Sequence, residues 1–277
     1  MKASAFDYIR ADSVAEAVAL LGRHGDTAKL LAGGQSLLPA LNLRLSAPAL
    51  LIDIGRIASL RGVAVAGDVL RIGATVTHAE LLASPEIARH APLLARAVAH
   101  VAHPAIRSRG TIGGSLANAD PAAELPACAL ALGARILVEG PSGSRTVAAE
   151  DFFTGLFETA MAPDEVLTAV EADLAPGAAW GFEELSRRTG DYAIVGLAAH
   201  RPHHGAPRLA YFAVGTHAVL ARHAAEALGR GEGLASAEAA LADDLEPHDD
   251  PQASAAMRLH LARVLLRRVV TPWTRAA

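Results

Sequence analysis

The chain has 277 residues, 52% of them hydrophobic and 19% charged, with a formal net charge of −4, enough apolar material for one large core or two ordinary ones. Acids and bases are interspersed with no basic run, so the footprint of a phosphate-backbone binder is missing and nucleic acid is excluded as a partner. The opening MKASAFDYIR has no apolar stretch of signal-peptide length, and the most apolar segment, 116–134, is broken by Asp120, Glu124 and two prolines. A bilayer span needs about 20 mostly apolar residues, so a cytoplasmic protein without a membrane span is expected.

In chain order, Ser13-Val14-Ala15-Glu16 reads as a capping box for a helix over 14–24, which Gly25 ends in a left-handed conformation. The runs 29–31 and 50–54 have strand length and flank Gly33-Gly34. VAVAGDVLRIGA predicts a hairpin across Gly67-Asp68, Thr77-His78-Ala79-Glu80 a second capping box, and 85–100 one amphipathic helix. RGTIGGSLANADPAAELP predicts a second glycine turn, followed by a helix over 122–132 and a strand over 135–138, with PSGS as a hairpin tip. A strand over 165–171 closes the first unit, and Ala175-Pro176-Gly177 is the linker candidate. Beyond it, 181–186, 193–200 and 208–214 read as antiparallel strands, with Pro202-His203-His204-Gly205 as a turn. Helices over 218–228, 235–242 and 252–269 complete an α+β pattern.

Two segments carry chemistry: LLAGGQSLLP and RGTIGGSLANADP. Each sets a Gly-Gly pair and small hydroxyl residues (Ser36, Thr111, Ser115) beside a strand, where successive backbone N–H groups can cradle phosphate oxygens. One Gly-Gly after a strand is usually an ordinary turn; two in one domain suit a diphosphate held between two loops. No G-x-G-x-x-G joins a strand to a helix and no Gly-Lys-Ser/Thr occurs, so neither a Rossmann fingerprint nor a P-loop is present, and Gly229, Gly231 and Gly233 read as a loop between helices. Cys128 is the only cysteine. It reads as a small core residue, and an iron–sulfur cluster, which needs about four ligands, cannot be carried by this chain alone. His100 with His103, and His200 with His203 and His204, are chance groupings in a histidine-rich sequence without a metal motif. No metal is predicted.

AGGQSLLPALNLRL followed by LIDI, RGTIGGSLANADPAAELP, SRRTGDYAIVG and the closing DDPQASAAMRLHLARVLLRR closely resemble the FAD-carrying medium subunits of the carbon monoxide dehydrogenase and xanthine dehydrogenase family of molybdenum hydroxylases. The resemblance spans nearly the whole chain. It implies an α+β fold: an FAD-binding domain of the vanillyl-alcohol-oxidase type over 1–176, in two α+β subdomains that divide near 55–60, then a three-stranded antiparallel sheet with helices over 177–277. It implies one non-covalent FAD. It also implies two partners, a molybdenum-cofactor large subunit and a small subunit with 2Fe–2S clusters, assembled as a dimer of heterotrimers in which electrons reach FAD and leave for an external acceptor.

By the same resemblance Lys29, Leu30, Leu31, Ala32, Gly33, Gly34, Gln35, Ser36 and Leu37, with Thr111, Ile112, Gly113, Gly114 and Ser115, surround the diphosphate and ribose. Asn118, Asp120 and Glu124 lie near the ribityl chain or diphosphate, and Leu167 and Tyr192, with Asp191 beside them, pack against the isoalloxazine. Gln35 and Asn118 stand where many relatives have histidine. No residue is expected to act as a protein acid, base or nucleophile. Two other readings are a self-sufficient flavin reductase of the same fold, which needs its own substrate pocket, and a flavin-free scaffold subunit, against which the intact Gly33, Gly34, Gly113 and Gly114 argue.

Overall fold

Strand β1 (Asp7–Arg10) leads into helix α1 (Val14–His24), whose Ser13 hydroxyl accepts from the Glu16 N–H as the sequence predicts. The reciprocal arm differs from a capping box: the Glu16 carboxylate accepts from the Asp12 N–H at 2.8 Å rather than from Ser13. Gly25 ends the helix at φ 53 and ψ −139, a positive φ but not the left-handed helical well. Strands β2 (Ala28–Leu31) and β3 (Leu50–Asp53) follow, separated by helix α2 (Leu37–Asn42). They form a parallel sheet in the order β1-β3-β2, and Val14, Ala17, Val18 and Leu21 of α1 pack on its Leu50 and Ile52. The computed structural model describes residues 2–203 and 205–275; Met1, Ala276, Ala277 and the His204 of the expected turn lie outside the described residues.

The second sheet is antiparallel. The expected hairpin appears as β4 (Val63–Ala66) and β5 (Val69–Gly73), with Gly67 at φ 58. Helix α3 (His78–Ala83) has the full capping box on Thr77. The single helix read over 85–100 is two, α4 (Pro85–His90) and α5 (Pro92–Val98), because Ala91 precedes a proline, which disfavours helical dihedrals, and it sits at φ −140. Short α6 (Pro104–Arg107), α7 (Ile112–Asn118) and α8 (Glu124–Leu132) lead to β6 (Arg135–Gly140) and β7 (Gly143–Ala148). One turn, α9 (Ala149–Phe152), precedes a two-stranded ribbon of β8 (Phe153–Gly155) and β9 (Glu158–Thr159). Then β10 (Val166–Asp173) enters the middle of the sheet, giving the order β4-β5-β10-β6-β7.

After a turn at 175–178 the three expected strands appear as β11 (Ala179–Leu185), β12 (Val195–Arg201) and β13 (Arg208–Phe212). A two-residue strand, β14 (Val219–Leu220), adds a fourth to the sheet. It occupies the start of what the sequence suggests is a helix, so α10 (Arg222–Gly229) begins later than expected. Helices α11 (Leu234–Asp244) and α12 (Ala255–Arg275) finish the described chain.

Every residue of β12 up to His200 is buried because the sheet is covered on both faces. Phe182, Ala198, Ala210 and Phe212 join the large core that contains α8 and the second sheet. Val195, Leu197, Leu209 and Tyr211 meet Leu241, Leu265 and Leu266 of the terminal helices. Small residues on the first face permit this: a Cβ at Gly196 would lie 1.9 Å from the ring of Phe212. Among the described residues no helix is long and apolar enough to cross a membrane.

Candidate functional site

The loop from β2 to α2 and the segment entering α7 meet at one cleft of about 730 Å³, within the 300–1,000 Å³ range of pockets for small molecules and cofactors. They touch directly: a Cβ on Gly33 would stand 2.1 Å from the Arg109 carbonyl oxygen and 2.9 Å from the Gly110 Cα. Glycine at 33 is therefore needed for contact between the segments rather than for approach of a ligand.

The two glycine segments differ in what they offer. In the second, every early N–H is already engaged: Ile112 on the Val76 carbonyl, Gly113 on the Ala74 carbonyl, Ser115 on the Thr111 carbonyl, and Gly114 on the Thr111 hydroxyl at 3.1 Å. The expected turn is in fact the first turn of α7, capped by Thr111. Gly113 is there because a Cβ would lie 2.7 Å from the Ala74 carbonyl oxygen. This corrects the reading of RGTIGG as a second N–H cradle. The first segment is the opposite case. Among the described residues no hydrogen bond engages the N–H groups of Gly33, Gly34, Gln35, Ser36 or Leu37, and Ser36 makes no side-chain cap for α2. Gly34 at φ 71 turns the chain, and the Gln35 side-chain amide donates to the Gly33 carbonyl at 2.9 Å and braces that turn. These five consecutive residues with unpaired donors line the cleft, a set that suits an anion.

Of the residues singled out from sequence, Lys29, Leu30, Ala32, Gly33, Gly34, Gln35, Ser36, Leu37, Thr111, Gly113, Gly114, Ser115, Asn118, Asp120, Glu124, Leu167, Asp191 and Tyr192 all line this cleft. Leu31 and Ile112 do not. Leu31 lies 3.1 Å from where a Gly34 Cβ would be, and Ile112 is 2% exposed in the main core. Two lining features escaped sequence reading. His78 faces the cleft from the start of α3, and Val101 and Ala102 form a wall against which Gly190 packs.

Tyr192 lies on the loop between β11 and β12, not in a strand, and is 64% exposed, so its ring is free to cover a planar ligand. Its phenol pKa is raised, first by desolvation on its cleft side and next by the carboxylate of Asp120. Asp120 is itself fixed, accepting from the Ala122 N–H at 2.9 Å. The loop bearing Tyr192 is held from behind by Arg258 of α12, which is 4% exposed. The Arg258 guanidinium donates to the carbonyl of Ile194, to that of Ala213 at 2.8 Å and to the carboxylate of Asp250 at 2.5 Å. Ala213 in turn donates its N–H to the Pro121 carbonyl at 2.7 Å. One buried cation thus holds both the Tyr192 loop and the Asp120 turn.

Burial, reinforced by the carboxylates of Glu184 and Asp120, pushes the Glu124 carboxyl up to about 8, and burial pushes Glu184 up to about 7. One oxygen of Glu184 is buried without a partner among the described residues. A carboxyl whose pKa rises on folding stabilises the fold fully below its unfolded value and loses that contribution as pH climbs through the folded one. The flavin-free chain should therefore lose stability from about pH 4.5 to about pH 8. Urea midpoints measured at pH 5 and pH 8 should differ less in Glu124→Gln than in the native chain; an unchanged difference would show that Glu124 is already ionised. Cys128 is buried and its thiol is pushed well up by burial. His200 stacks on Trp180 with centroids 4.1 Å apart. Among the described residues, no three His, Cys, Asp or Glu side chains come together as a metal site.

Residues 4–172 match the family model described as the FAD binding domain in molybdopterin dehydrogenase, and residues 180–272 match the CO dehydrogenase flavoprotein C-terminal domain. The chain belongs to this family of FAD-binding subunits of molybdenum hydroxylases. It is 46% identical over 200 residues to the 6-hydroxypseudooxynicotine dehydrogenase complex subunit alpha of Paenarthrobacter nicotinovorans, covering 72% of this chain and 68% of that one. With the carbon monoxide dehydrogenase medium chain of Hydrogenophaga pseudoflava it shares 45% identity over 194 residues, covering 70% and 68%. In a solved structure of carbon monoxide dehydrogenase from that organism, one chain superposes with a TM-score of 0.95 at 39% identity over 99% of both chains. FAD is thus the cofactor, and the chain is an oxidoreductase subunit.

Proposed function

We propose that the cleft between the 33–37 loop and α7 holds FAD, and that the chain is the flavin station of a molybdenum hydroxylase, taking electrons from a 2Fe–2S subunit and passing them to an external acceptor. The observation that carries the placement is the run of unpaired N–H groups from Gly33 to Leu37 on the cleft wall. Aligned amide dipoles solvate a diphosphate without a matching set of cations, and the one lysine lining the cleft, Lys29, is exposed. Thr111 and Ser115, with Asn118 and Asp120, supply polar groups along the opposite wall, and Tyr192 and Leu167 the apolar cover for the isoalloxazine. FAD supplies the chemistry, accepting electrons singly and releasing them in pairs; the protein binds, orients and shields it. Residues 1–176 are read as the flavin domain and 177–277 as the C-terminal domain, a division supported by the limits of the two family matches.

The subunit reading is supported by relatives named as one chain of a larger assembly, such as the nicotine 6-hydroxylase medium subunit, 43% identical over 198 residues. It also fits the exposed Leu156 and Phe157, 56% each, at the tip of the β8–β9 ribbon beside the cleft-lining Thr159, since clustered apolar rims mark partner contacts. Mass spectrometry of the complex recovered from its native host with this chain as bait tests the proposal. Recovery of a molybdenum-cofactor subunit and a cysteine-rich 2Fe–2S subunit in a dimer of heterotrimers is expected. A yellow chain recovered alone that oxidises NAD(P)H would overturn the subunit reading in favour of a self-sufficient reductase.

A further inference from the structure

The Tyr192 wall of the cleft rests on two supports. Arg258 holds the loop beyond Tyr192, at the Ile194 carbonyl. The second support lies before it, where Gly190 packs on Ala102. A Cβ on Gly190 would stand 2.8 Å from the Ala102 carbonyl oxygen, and Gly190 has φ 85, so this approach needs glycine on both counts. The turn between is braced locally: the Ser186 hydroxyl donates to the Arg188 carbonyl at 2.9 Å and the Asp191 N–H donates to the same carbonyl at 3.1 Å. Gly190, Asp191 and Tyr192 are therefore placed together by whatever fixes Ala102.

Ala102 itself has φ 41, a left-handed backbone that an alanine adopts only where its surroundings impose it. Arg107 of α6 imposes it. Its Nη1 donates to the Val101 carbonyl at 2.8 Å and to the Ala102 carbonyl at 3.1 Å, with that of Ala99 at 3.4 Å. An arginine that only finished α5 would bond the carbonyls of its last turn; the two shorter bonds here go to residues past the helix end. Arg107 does not line the cleft, whereas Val101, Ala102, Gly190, Asp191 and Tyr192 all do. We infer that Arg107 is a positioning residue for the flavin: by gathering the Val101 and Ala102 carbonyls onto one guanidinium nitrogen it fixes the shelf on which Gly190 sits, and so sets where Tyr192 meets the isoalloxazine. The inference rests on FAD occupying this cleft with its ring against Tyr192.

The test is a double-mutant cycle between Arg107→Met and Tyr192→Ala on the full flavin-free chain, titrated with FAD and with ADP. Methionine keeps an unbranched stem and removes the donors. Arg107→Met is expected to bind FAD about tenfold more weakly and ADP within about twofold of the native chain. Emission of the bound flavin should rise, because a phenol ring moved off the isoalloxazine quenches it less. In the Tyr192→Ala background the same change should weaken FAD binding by less than about twofold. Gly190→Ala, a lesion from the opposite side of the contact, should reproduce both the FAD loss and the brighter emission, and takes the place of Arg107→Met in the cycle where that variant does not fold. Arg107→Lys should recover part of the affinity. An FAD loss equal in the two backgrounds, one matched by an equal ADP loss, or no loss at all would make Arg107 a structural residue and overturn the inference alone; a native chain that takes up no FAD would overturn the cleft reading with it.

Discussion

Gly33→Ala should abolish retention of FAD. The added methyl would stand 2.1 Å from the Arg109 carbonyl oxygen and 2.8 Å from its carbonyl carbon, and these are backbone atoms that cannot rotate away. Restoring an ordinary contact needs the two segments to part by about 1 Å, and overpacking of this kind costs about 1–3 kcal/mol of stability. The larger effect falls on the ligand. The five unpaired N–H groups follow directly from residue 33, and each one that loses its aim forfeits a charge-assisted hydrogen bond of about 1.5–3 kcal/mol. Two such losses weaken FAD binding by more than 100-fold. Equilibrium titration with FAD reads this, and Gly22→Ala is the control. Gly22 lies in α1 with nothing within 4 Å of the new Cβ, so it should gain about 0.5–1 kcal/mol and bind FAD normally. Gly33→Ala protein that keeps stoichiometric FAD would show that the segments separate without disturbing the cradle.

Arg258→Ala should be strongly destabilising. It strips the carbonyls of Ile194 and Ala213 and the carboxylate of Asp250 of one shared donor. Asp250 is held down to about 2 by the Ala253 N–H first and by Arg258 next. Breaking a buried ion pair by removing one partner costs about 3–5 kcal/mol. Asp250 is 30% exposed and water reaches it, so the lower end applies: about 3 kcal/mol, or a fall in melting temperature of roughly 6–12 °C. Arg258→Lys reaches one acceptor rather than three and should recover less than half. FAD affinity should fall with it, because the Tyr192 loop and the Asp120 turn lose their common anchor. Differential scanning calorimetry with and without FAD separates the two effects. A melting temperature within 2 °C of the native value would show that other contacts hold the loop.

Local chemistry made much of this legible before any coordinates. Ser13 and Thr77 predicted helix starts correctly because caps act within four residues, and Gly67-Asp68 predicted its hairpin for the same reason. The cleft-lining residues were legible through family resemblance, and composition alone would not have found Leu167, an ordinary buried strand residue 4% exposed. What escaped was tertiary. Gly113-Gly114 looks like a turn in sequence, yet Ala74 and Val76 capture the neighbouring N–H groups from a distant strand end and make it a helix. His78 reads in sequence only as part of a capping box, since nothing local reveals that its ring is buried without a partner. Arg258 sits in a helical stretch like any surface arginine, and only its 4% exposure marks it.

The anchoring of the Tyr192 loop by the last helix has a consequence for biogenesis. The Tyr192 wall of the cleft is completed by residue 258, and the sheet behind it by helices that follow the sheet in translation. Until residue 258 has been made and has folded, the nascent polypeptide has the Gly33–Leu37 loop but not the anchored Tyr192 loop. Coenzyme capture is then expected to follow the folding of α12, with the vacant apoprotein as the species that waits for its flavin.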